Sequence, residues 1–212
     1  MDSLIRYYNQ FDEWGRLDRE PLEYLINLHH IRRYLPHSGR ILDNGAGPGK
    51  YSMYLAEQGY QVTLTDLTPR LVELAQQKAT ELNLDEQFDG FHMMDARNLN
   101  RLSDGQFDAV LMLGMNFMDS GIFNHDEEGR FTDAYYFDIS EITPFMESHG
   151  FQTNKLIGSS SVAGGLTEEQ WDYWKRQGED AFGQMMELIM NESENPYILG
   201  TSSHLLYIGQ KI

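Results

Sequence analysis

The stretch Asp43-Asn44-Gly45-Ala46-Gly47-Pro48-Gly49 decides the fold of this 212-residue chain. The short apolar run Ile41-Leu42 leads into it, and a helix is predicted after it from Tyr51 to Gln58, closed by Gly59. Glycines between a strand and a helix let the backbone turn tightly and approach a ligand, while the helix N-terminus offers free N–H groups. The stretch is therefore a candidate ligand-binding loop, called the glycine loop below.

The spacing of the glycine loop argues against two common ligand classes. A phosphate loop has the pattern G-x-x-x-x-G-K-[ST], but here Tyr51 follows Gly49-Lys50, and Asn44 occupies the position of the first glycine. A dinucleotide fingerprint has the pattern G-x-G-x-x-G, and Lys50 occupies the position of its last glycine. What remains is an acid followed by three alternating glycines.

The order of predicted elements indicates an α/β fold. After the glycine loop we predict a strand ending at Asp66, a helix capped by Thr68-Pro69, a strand at 91–94 ending at Asp95, and a strand at 109–113. The run 109–113 is fully apolar, as in strands buried on both faces of a parallel sheet. This order predicts a doubly wound, mostly parallel sheet that is covered by helices.

The flanking regions carry further predicted elements. Residues 3–35 are expected to be mostly helical. In the second half we predict a helix from Asp138 to Ser148, with a capping box to Glu141 and a kink or shifted start at Pro144. A helical region is predicted from the Thr167–Gln170 capping box to Asn191, with possible breaks at Gly178 and Gly183. Strands are predicted at 151–157 and 204–208.

The acid with three alternating glycines resembles motif I of the class I S-adenosylmethionine-dependent methyltransferases. Asp66 lies 21 residues after Gly45 (66 − 45), Asp95-Ala96 follows the third strand, and residues 107–110 resemble the start of the family's fourth strand. The resemblance implies S-adenosylmethionine as the cofactor, with Asp66 accepting both ribose hydroxyls and Asp95-Ala96 meeting the adenine amino group. The cofactor-binding residues that it implies are Tyr8, Arg16, Asp43, Asn44, Gly45, Gly47, Asp66, Leu67, Asp95, Ala96 and Leu113.

The N-terminal segment resembles the helical lid of small-molecule methyltransferases through Tyr7-Tyr8 and Trp14-Gly15-Arg16-Leu17. By that resemblance Tyr8 and Arg16 close over the methionine end of the cofactor, with Arg16 facing its carboxylate. Alternatively, the aromatic residues form one packed face and Arg16 is a solvated surface charge. The stretch 198–207 resembles the closing strand of bacterial small-molecule methyltransferases.

We expect a single methyltransferase-like domain over 1–212, with a lid at 1–38, a cofactor-binding half at 39–114 and a C-terminal half at 115–212. Only 14 residues separate Gly114 from Gly129, whereas a strand–helix–strand unit takes about 30. The segment around the family's fifth strand is therefore expected to be missing. Three explanations are open: a natural or engineered deletion after 114, a strand formed by residues 121–123, or residues left out of the sequence.

The resemblance implies a methyltransferase that transfers a methyl group to a small-molecule acceptor by in-line displacement. A non-catalytic or impaired S-adenosylmethionine-binding relative is the alternative, motivated by the missing segment. An NAD(P)-dependent oxidoreductase fits less well because of Lys50. His204 is a candidate base, or a hydrogen-bonded strand residue, and Tyr135-Tyr136 are candidates to line the acceptor pocket.

Composition excludes several partners and site types. Sixteen Lys and Arg against 33 Asp and Glu give a net charge of −17, which disfavours nucleic acid and anionic membranes. The absence of cysteine excludes disulfides and thiolate metal sites, and the seven histidines show no ligand spacing, so no metal site is expected. Residues 1–6 lack a signal-peptide core, so we expect a soluble cytoplasmic protein, monomeric or homodimeric.

Overall fold

The computed structural model describes residues 12–19, 21–96, 98–103, 105–115, 121–123, 134–136 and 138–211. The chain divides into two compact units. The first contains Met1–Glu20, Arg32–Leu113 and Ile122–Ala134, and the second contains Pro21–Ile31, Gly114–Gly121 and Tyr135–Ile212. The predicted lid at 1–38 is thus shared between the two units, and the organisation as a single domain stays a prediction.

Seven α-helices are described. They are α1 (Glu13–Arg19), α2 (Pro21–Tyr34), α3 (Lys50–Glu57), α4 (Pro69–Glu81), α5 (Ile139–Ser148), α6 (Glu168–Arg176) and α7 (Glu179–Glu192). The strands are β1 (Arg40–Asn44), β2 (Gln61–Asp66), β3 (Phe88–Met93), β4 (Ala109–Leu111), β5 (Leu113–Met115), β6 (Gly121–Phe123), β7 (Ala134–Tyr136), β8 (Phe151–Gly158) and β9 (His204–Lys211). Short 3₁₀ turns lie at Asp85–Gln87, Ser161–Ala163 and Leu199–Thr201.

The first unit is built on a four-stranded sheet in the order β3-β2-β1-β4, and every pairing in it is parallel. Each of β1 and β2 is followed by a helix, as parallel strands require a crossover connection. Met53 from α3, Leu64 from β2, and Ala75 and Ala79 from α4 form a buried cluster. The predicted α/β fold with a parallel, helix-covered sheet is confirmed.

The prediction for 109–113 is wrong in two respects. The run breaks at Met112 into β4 and β5, and β5 belongs to a separate sheet in the order β5-β9-β8. Val110 is 46% exposed and Met112 is 43% exposed, whereas Leu111 is buried. Val110 and Met112 alternate with Leu111, so they lie on the exposed face of this segment and Leu111 lies on its buried face.

The predicted strand at 121–123 is present as β6. It pairs with β7 in a two-stranded sheet and does not join the parallel sheet. The presence of β6 does not test whether the segment around the family's fifth strand is missing, and that absence stays a prediction.

In the second unit, β8 and β9 pair antiparallel from Phe151↔Lys211 to Gly158↔Leu205. The predicted capping box of α6 is confirmed, since Thr167 N–H donates to Gln170 Oε1 (2.9 Å) and Gln170 N–H donates to Thr167 Oγ1 (3.3 Å). Gly178 separates α6 from α7, as predicted, whereas Gly183 lies inside α7. In α5, the cap bond runs from Ser140 N–H to Asp138 Oδ1, and Pro144 lies inside the helix.

A buried face of α2 in the second unit is polar. Glu23, Asn27 and His30 lie at positions i, i+4 and i+7 and are all buried. Ser159 Oγ donates to Asn27 Oδ1 at 2.8 Å, and His30 Nε2 lies 2.7 Å from Ser193 Oγ. Hydrogen bonds to polar partners offset the cost of burying these groups, so this face specifies the position of α2 within the unit.

Candidate functional site

The candidate site lies in the first unit, at the carboxyl ends of the parallel strands. β1 pairs with β2 on one side and with β4 on the other, so the chain runs outward from β1 through β2 to β3 and then crosses back to the opposite side of β1 at β4. In open parallel sheets, ligands bind in the crevice outside the strand ends at such a switch point. Asn44 and Asp66 end the two strands there and flank the glycine loop.

The glycine loop turns tightly because its three glycines all adopt left-handed backbone angles. The φ values are 75° at Gly45, 57° at Gly47 and 80° at Gly49. Gly45 N–H and Ala46 N–H both donate to Thr65 O, at 2.9 and 3.0 Å, which ties the loop to β2. A Cβ atom at Gly45 would meet nothing within 4 Å, so the loop presents an open face at this position.

Asp66 is held against the loop by both of its carboxylate oxygens. Gly47 N–H donates to Oδ2 and Thr68 N–H donates to Oδ1, each at 2.8 Å. Burial raises the pKa of Asp66, and the N–H groups of Thr68 and Gly47 oppose that shift. The Thr68 hydroxyl and the Leu67 N–H also donate to this carboxylate, so donors from the glycine loop and from the end of β2 fix its position.

Asp43 lies under the glycine loop rather than on its open face. The residue is buried, and Ser52 Oγ from α3 donates to its Oδ2 at 2.6 Å. Burial raises the pKa of Asp43 to about 7, against the lowering effect of the Ser52 hydroxyl. In this position Asp43 fixes the start of α3, and its direct contact with a cofactor stays a prediction.

Asn44 connects three segments of the site. Its Oδ1 accepts from Thr65 Oγ1 at 2.8 Å, and its Nδ2 donates to Ala96 O at 3.4 Å and lies 3.7 Å from Met112 Sδ. The predicted residues at the ends of β1 and β3 are therefore brought together. Beside β2, Leu67 is partly buried, as are Asp95 after β3 and Leu113 after β4.

Helix α1 covers the glycine loop through contacts that the sequence analysis missed. Lys50 Nζ donates to Trp14 O at 3.2 Å and lies 2.5 Å from Asp18 Oδ1. The Cγ atom of Glu13 lies 3.6 Å from where a Cβ of Gly47 would be. Aromatic residues upstream of the loop were the available signal, but a contact between residues 32 or more positions apart cannot be read from spacing.

Arg16 pairs with Glu13 on the same helix, with Arg16 Nε 2.6 Å from Glu13 Oε1 and both side chains largely buried. The alternative of a fully solvated Arg16 is therefore wrong. Its predicted role toward a cofactor carboxylate stays a prediction. Tyr7 and Tyr8 lie outside the described residues.

His204 begins β9 in the second unit. Its Nδ1 lies 3.2 Å from Glu23 Oε2, and its side chain is 23% exposed. This contact fits a hydrogen-bonded strand residue, and the role of His204 as a base stays a prediction. Tyr135 and Tyr136 lie in β7, and their side chains are outside the described part of the structure.

The described part of the chain contains neither a metal-ion cluster nor a membrane-spanning helix. No group of three or more His, Asp or Glu residues is placed to hold a metal ion there. Among the helices given above, none combines the length and apolar character needed to cross a bilayer.

Comparison with known families identifies the same segment. Residues 41–126 match the family model described as a methyltransferase domain. The chain is 34% identical over 118 residues to the ubiquinone biosynthesis O-methyltransferase of Xanthomonas axonopodis pv. citri, covering 53% of this chain and 48% of that protein. It is 29% identical over 136 residues to the glycine/sarcosine N-methyltransferase of Parasynechococcus marenigrum, covering 64% of this chain and 46% of that protein.

The chain thus spans less than half the length of these two curated relatives. A crystal structure from Listeria monocytogenes, assigned to the S-adenosylmethionine-dependent methyltransferases, superposes with a TM-score of 0.60 at 14% identity. That alignment covers 91% of this chain and 99% of the Listeria chain. At this identity the likeness supports the fold alone.

Proposed function

We propose that the chain is a class I S-adenosylmethionine-dependent methyltransferase that binds S-adenosylmethionine at the glycine loop and transfers the methyl group to a small-molecule acceptor. The observation that carries the proposal is the carboxylate of Asp66, fixed by two backbone N–H groups beside an open glycine loop at the switch point.

The fit of the cofactor to these residues rests on two features. A Cβ at Gly45 would meet nothing within 4 Å, which leaves room for a ligand against the backbone. The Asp66 carboxylate at the end of β2 is an acceptor, as the hydroxyl groups of a ribose require. Lys50 stands where a dinucleotide site needs a glycine for close helix–strand packing, so NAD(P) fits less well.

S-Adenosylmethionine supplies a sulfonium that already activates the methyl group for transfer to a nucleophile. The protein therefore has to bind the cofactor and the acceptor, orient them toward each other and exclude water from the site. In this proposal Asp66 orients the ribose, and the segment Asp95-Ala96, joined to Asn44, meets the adenine. Gly45, Gly47, Leu67 and Leu113 line the same cofactor site, as does Tyr8.

Arg16 is proposed to bind the carboxylate of the methionine end. It lies on α1, whose Glu13 approaches Gly47, and its guanidinium is held by Glu13. S-Adenosylhomocysteine carries this carboxylate and 5′-methylthioadenosine does not. Arg16→Gln should therefore weaken binding of the first ligand and leave the second unchanged, with Arg19→Gln on the same helix as the matched control. Equal weakening of both ligands would contradict the role.

The acceptor is proposed to be a small molecule. The net charge of −17 opposes a polyanionic substrate. One relative is named for N-methylation and the other for O-methylation, so the proposal commits to a small acceptor and not to its reacting atom.

His204 is proposed as the base for an acceptor that must lose a proton, with Glu23 stabilising its protonated form. His204→Asn should lower turnover by about 100-fold while S-adenosylhomocysteine binding stays the same. His149→Asn, an exposed histidine after α5, is the control. Unchanged turnover on a protonated acceptor would exclude the role.

Calorimetry with S-adenosylmethionine, S-adenosylhomocysteine and NAD tests the cofactor, and release of S-adenosylhomocysteine over a panel of amine, phenol and carboxylate acceptors tests turnover. We expect binding of the first two ligands and none of NAD. Binding of NAD alone would overturn the proposal. Cofactor binding without turnover on any acceptor would support the non-catalytic relative instead.

A further inference from the structure

Lys50 makes an unusual set of contacts for a residue that opens a helix. Its Nζ reaches the backbone carbonyl of Trp14 at 3.2 Å and the carboxylate of Asp18 at 2.5 Å. Its side chain is only 14% exposed, whereas that of Asp18 is 66% exposed. A single ammonium group from the glycine loop's helix thus binds both the main chain and a side chain of α1.

Trp14 strengthens the same attachment. Its ring lies 5.4 Å from Lys50 Nζ and 5.2 Å from Lys78 Nζ, within the range of cation–π attraction. The ring also packs against the buried cluster around Leu64 and Ala75. Helix α1 has seven residues, too few to be stable alone, so its position depends on these contacts.

The attached helix lies directly against the loop. Glu13 Cγ is 3.6 Å from where a Cβ of Gly47 would be, so a ligand that runs along the loop also meets α1. Ligand binding and docking of α1 therefore share contacts, and any shared contact makes the two equilibria depend on each other.

We propose that Lys50 is a positioning residue that fastens α1 over the glycine loop and couples the docking of α1 to occupancy of the loop. The fastening follows from the contacts alone, and only the coupling rests on the proposed function. Lys50 occupies the position of the last glycine in a dinucleotide fingerprint, and in this proposal its side chain holds α1 against the glycine loop.

Hydrogen–deuterium exchange tests the fastening without any ligand. Lys50→Met should raise amide exchange in residues 12–19 by about 5- to 30-fold, because an ionic hydrogen bond is lost, while exchange in 51–57 stays unchanged. Lys78→Met, which removes a cation–π contact with Trp14 but pairs with Glu81 rather than Asp18, should raise exchange in 12–19 less than Lys50→Met does. Unchanged exchange in 12–19, or an equal rise in 51–57, would overturn the fastening.

Two further variants separate the specific contact from a general loss of stability. Lys50→Arg keeps a long cation and should restore at least half of the lost protection. Asp18→Asn should raise exchange in 12–19, and the Lys50→Met/Asp18→Asn double variant should be no worse than Lys50→Met alone. Strictly additive effects would show that Lys50 and Asp18 act independently and would overturn their pairing.

Binding of S-adenosylhomocysteine tests the coupling. In the unmodified protein a saturating concentration of the ligand should slow exchange in residues 12–19, and Lys50→Met should weaken its affinity in proportion to the fall in the docked fraction of α1. Exchange in 12–19 that a saturating ligand leaves unchanged would overturn the coupling. If the unmodified protein fails to bind the ligand, the proposed function fails, whereas the exchange of the unliganded variants still decides the fastening.

Discussion

Substitution of Gly49 by alanine should destabilise the protein more than substitution of Gly45, although both glycines have left-handed φ values, 80° at Gly49 and 75° at Gly45. A left-handed conformation costs an alanine about 1–2 kcal/mol at either position. At Gly49 the new Cβ would also lie 2.6 Å from Leu64 Cδ1, a fully buried atom group, and 3.4 Å from Ala75 Cβ. Overpacking adds about 1–3 kcal/mol, so Gly49→Ala should cost about 2–5 kcal/mol in total.

Urea unfolding followed by circular dichroism measures this difference. The effect of alanine on the unfolded chain is the same for both variants and cancels in the comparison. With a slope of about 1–3 kcal/mol per molar urea, Gly49→Ala should unfold at a midpoint lower than Gly45→Ala by roughly 1 M. Equal midpoints, or a lower midpoint for Gly45→Ala, would refute the packing argument. Gly45→Ala should instead weaken S-adenosylhomocysteine binding, because its methyl group fills the open face of the loop.

Three further substitutions probe other parts of the chain. Asp66→Ala should weaken S-adenosylhomocysteine binding by about 1–3 kcal/mol in calorimetry, since the ribose loses its acceptor, and unchanged affinity would exclude that role. The raised pKa of Asp43, about 7, means that the folded state binds a proton more tightly than the unfolded state. The free energy of unfolding should therefore fall as the pH rises from about 4 to 7, and Asp43→Asn should remove this part of the fall in urea titrations. Identical pH profiles for the variant and the unmodified protein would disprove this contribution of Asp43. Thr167→Ala should lower the stability of the second unit by about 1 kcal/mol through loss of the α6 cap, measured as a drop in thermal midpoint, and an unchanged midpoint would contradict the role of the cap.

Local patterns predicted the first unit well because its elements are set by short-range rules. The glycine loop, the strand ending at Asp66 and the helix after Thr68 each depend on residues within a few positions of one another. The Thr167–Gln170 capping box was predicted for the same reason. These features report backbone geometry, which neighbouring residues determine.

The features that local patterns missed depend on distant partners. An apolar run such as 109–113 predicts burial, but burial of Val110 depends on which elements pack on its face of β4, and that face is exposed. Asn27 on α2 is buried, and its hydrogen-bond partner is Ser159, 132 positions away. Sequence spacing carries no information on such pairs.

The charge around the glycine loop connects its geometry to its proposed ligand. On α1, the carboxylate of Glu13 is paired with Arg16, and that of Asp18 is paired with Lys50, so these charges largely offset one another. The carboxylate of Asp66 is instead held by neutral backbone N–H groups, which leave its negative charge in place. An acid at this position accepts from ribose hydroxyls in dinucleotide sites as well, so Asp66 indicates a ribose-bearing ligand without separating the two classes. Lys50 separates them, because it replaces the last glycine of the dinucleotide pattern and its positive charge is paired with Asp18 rather than available to a phosphate.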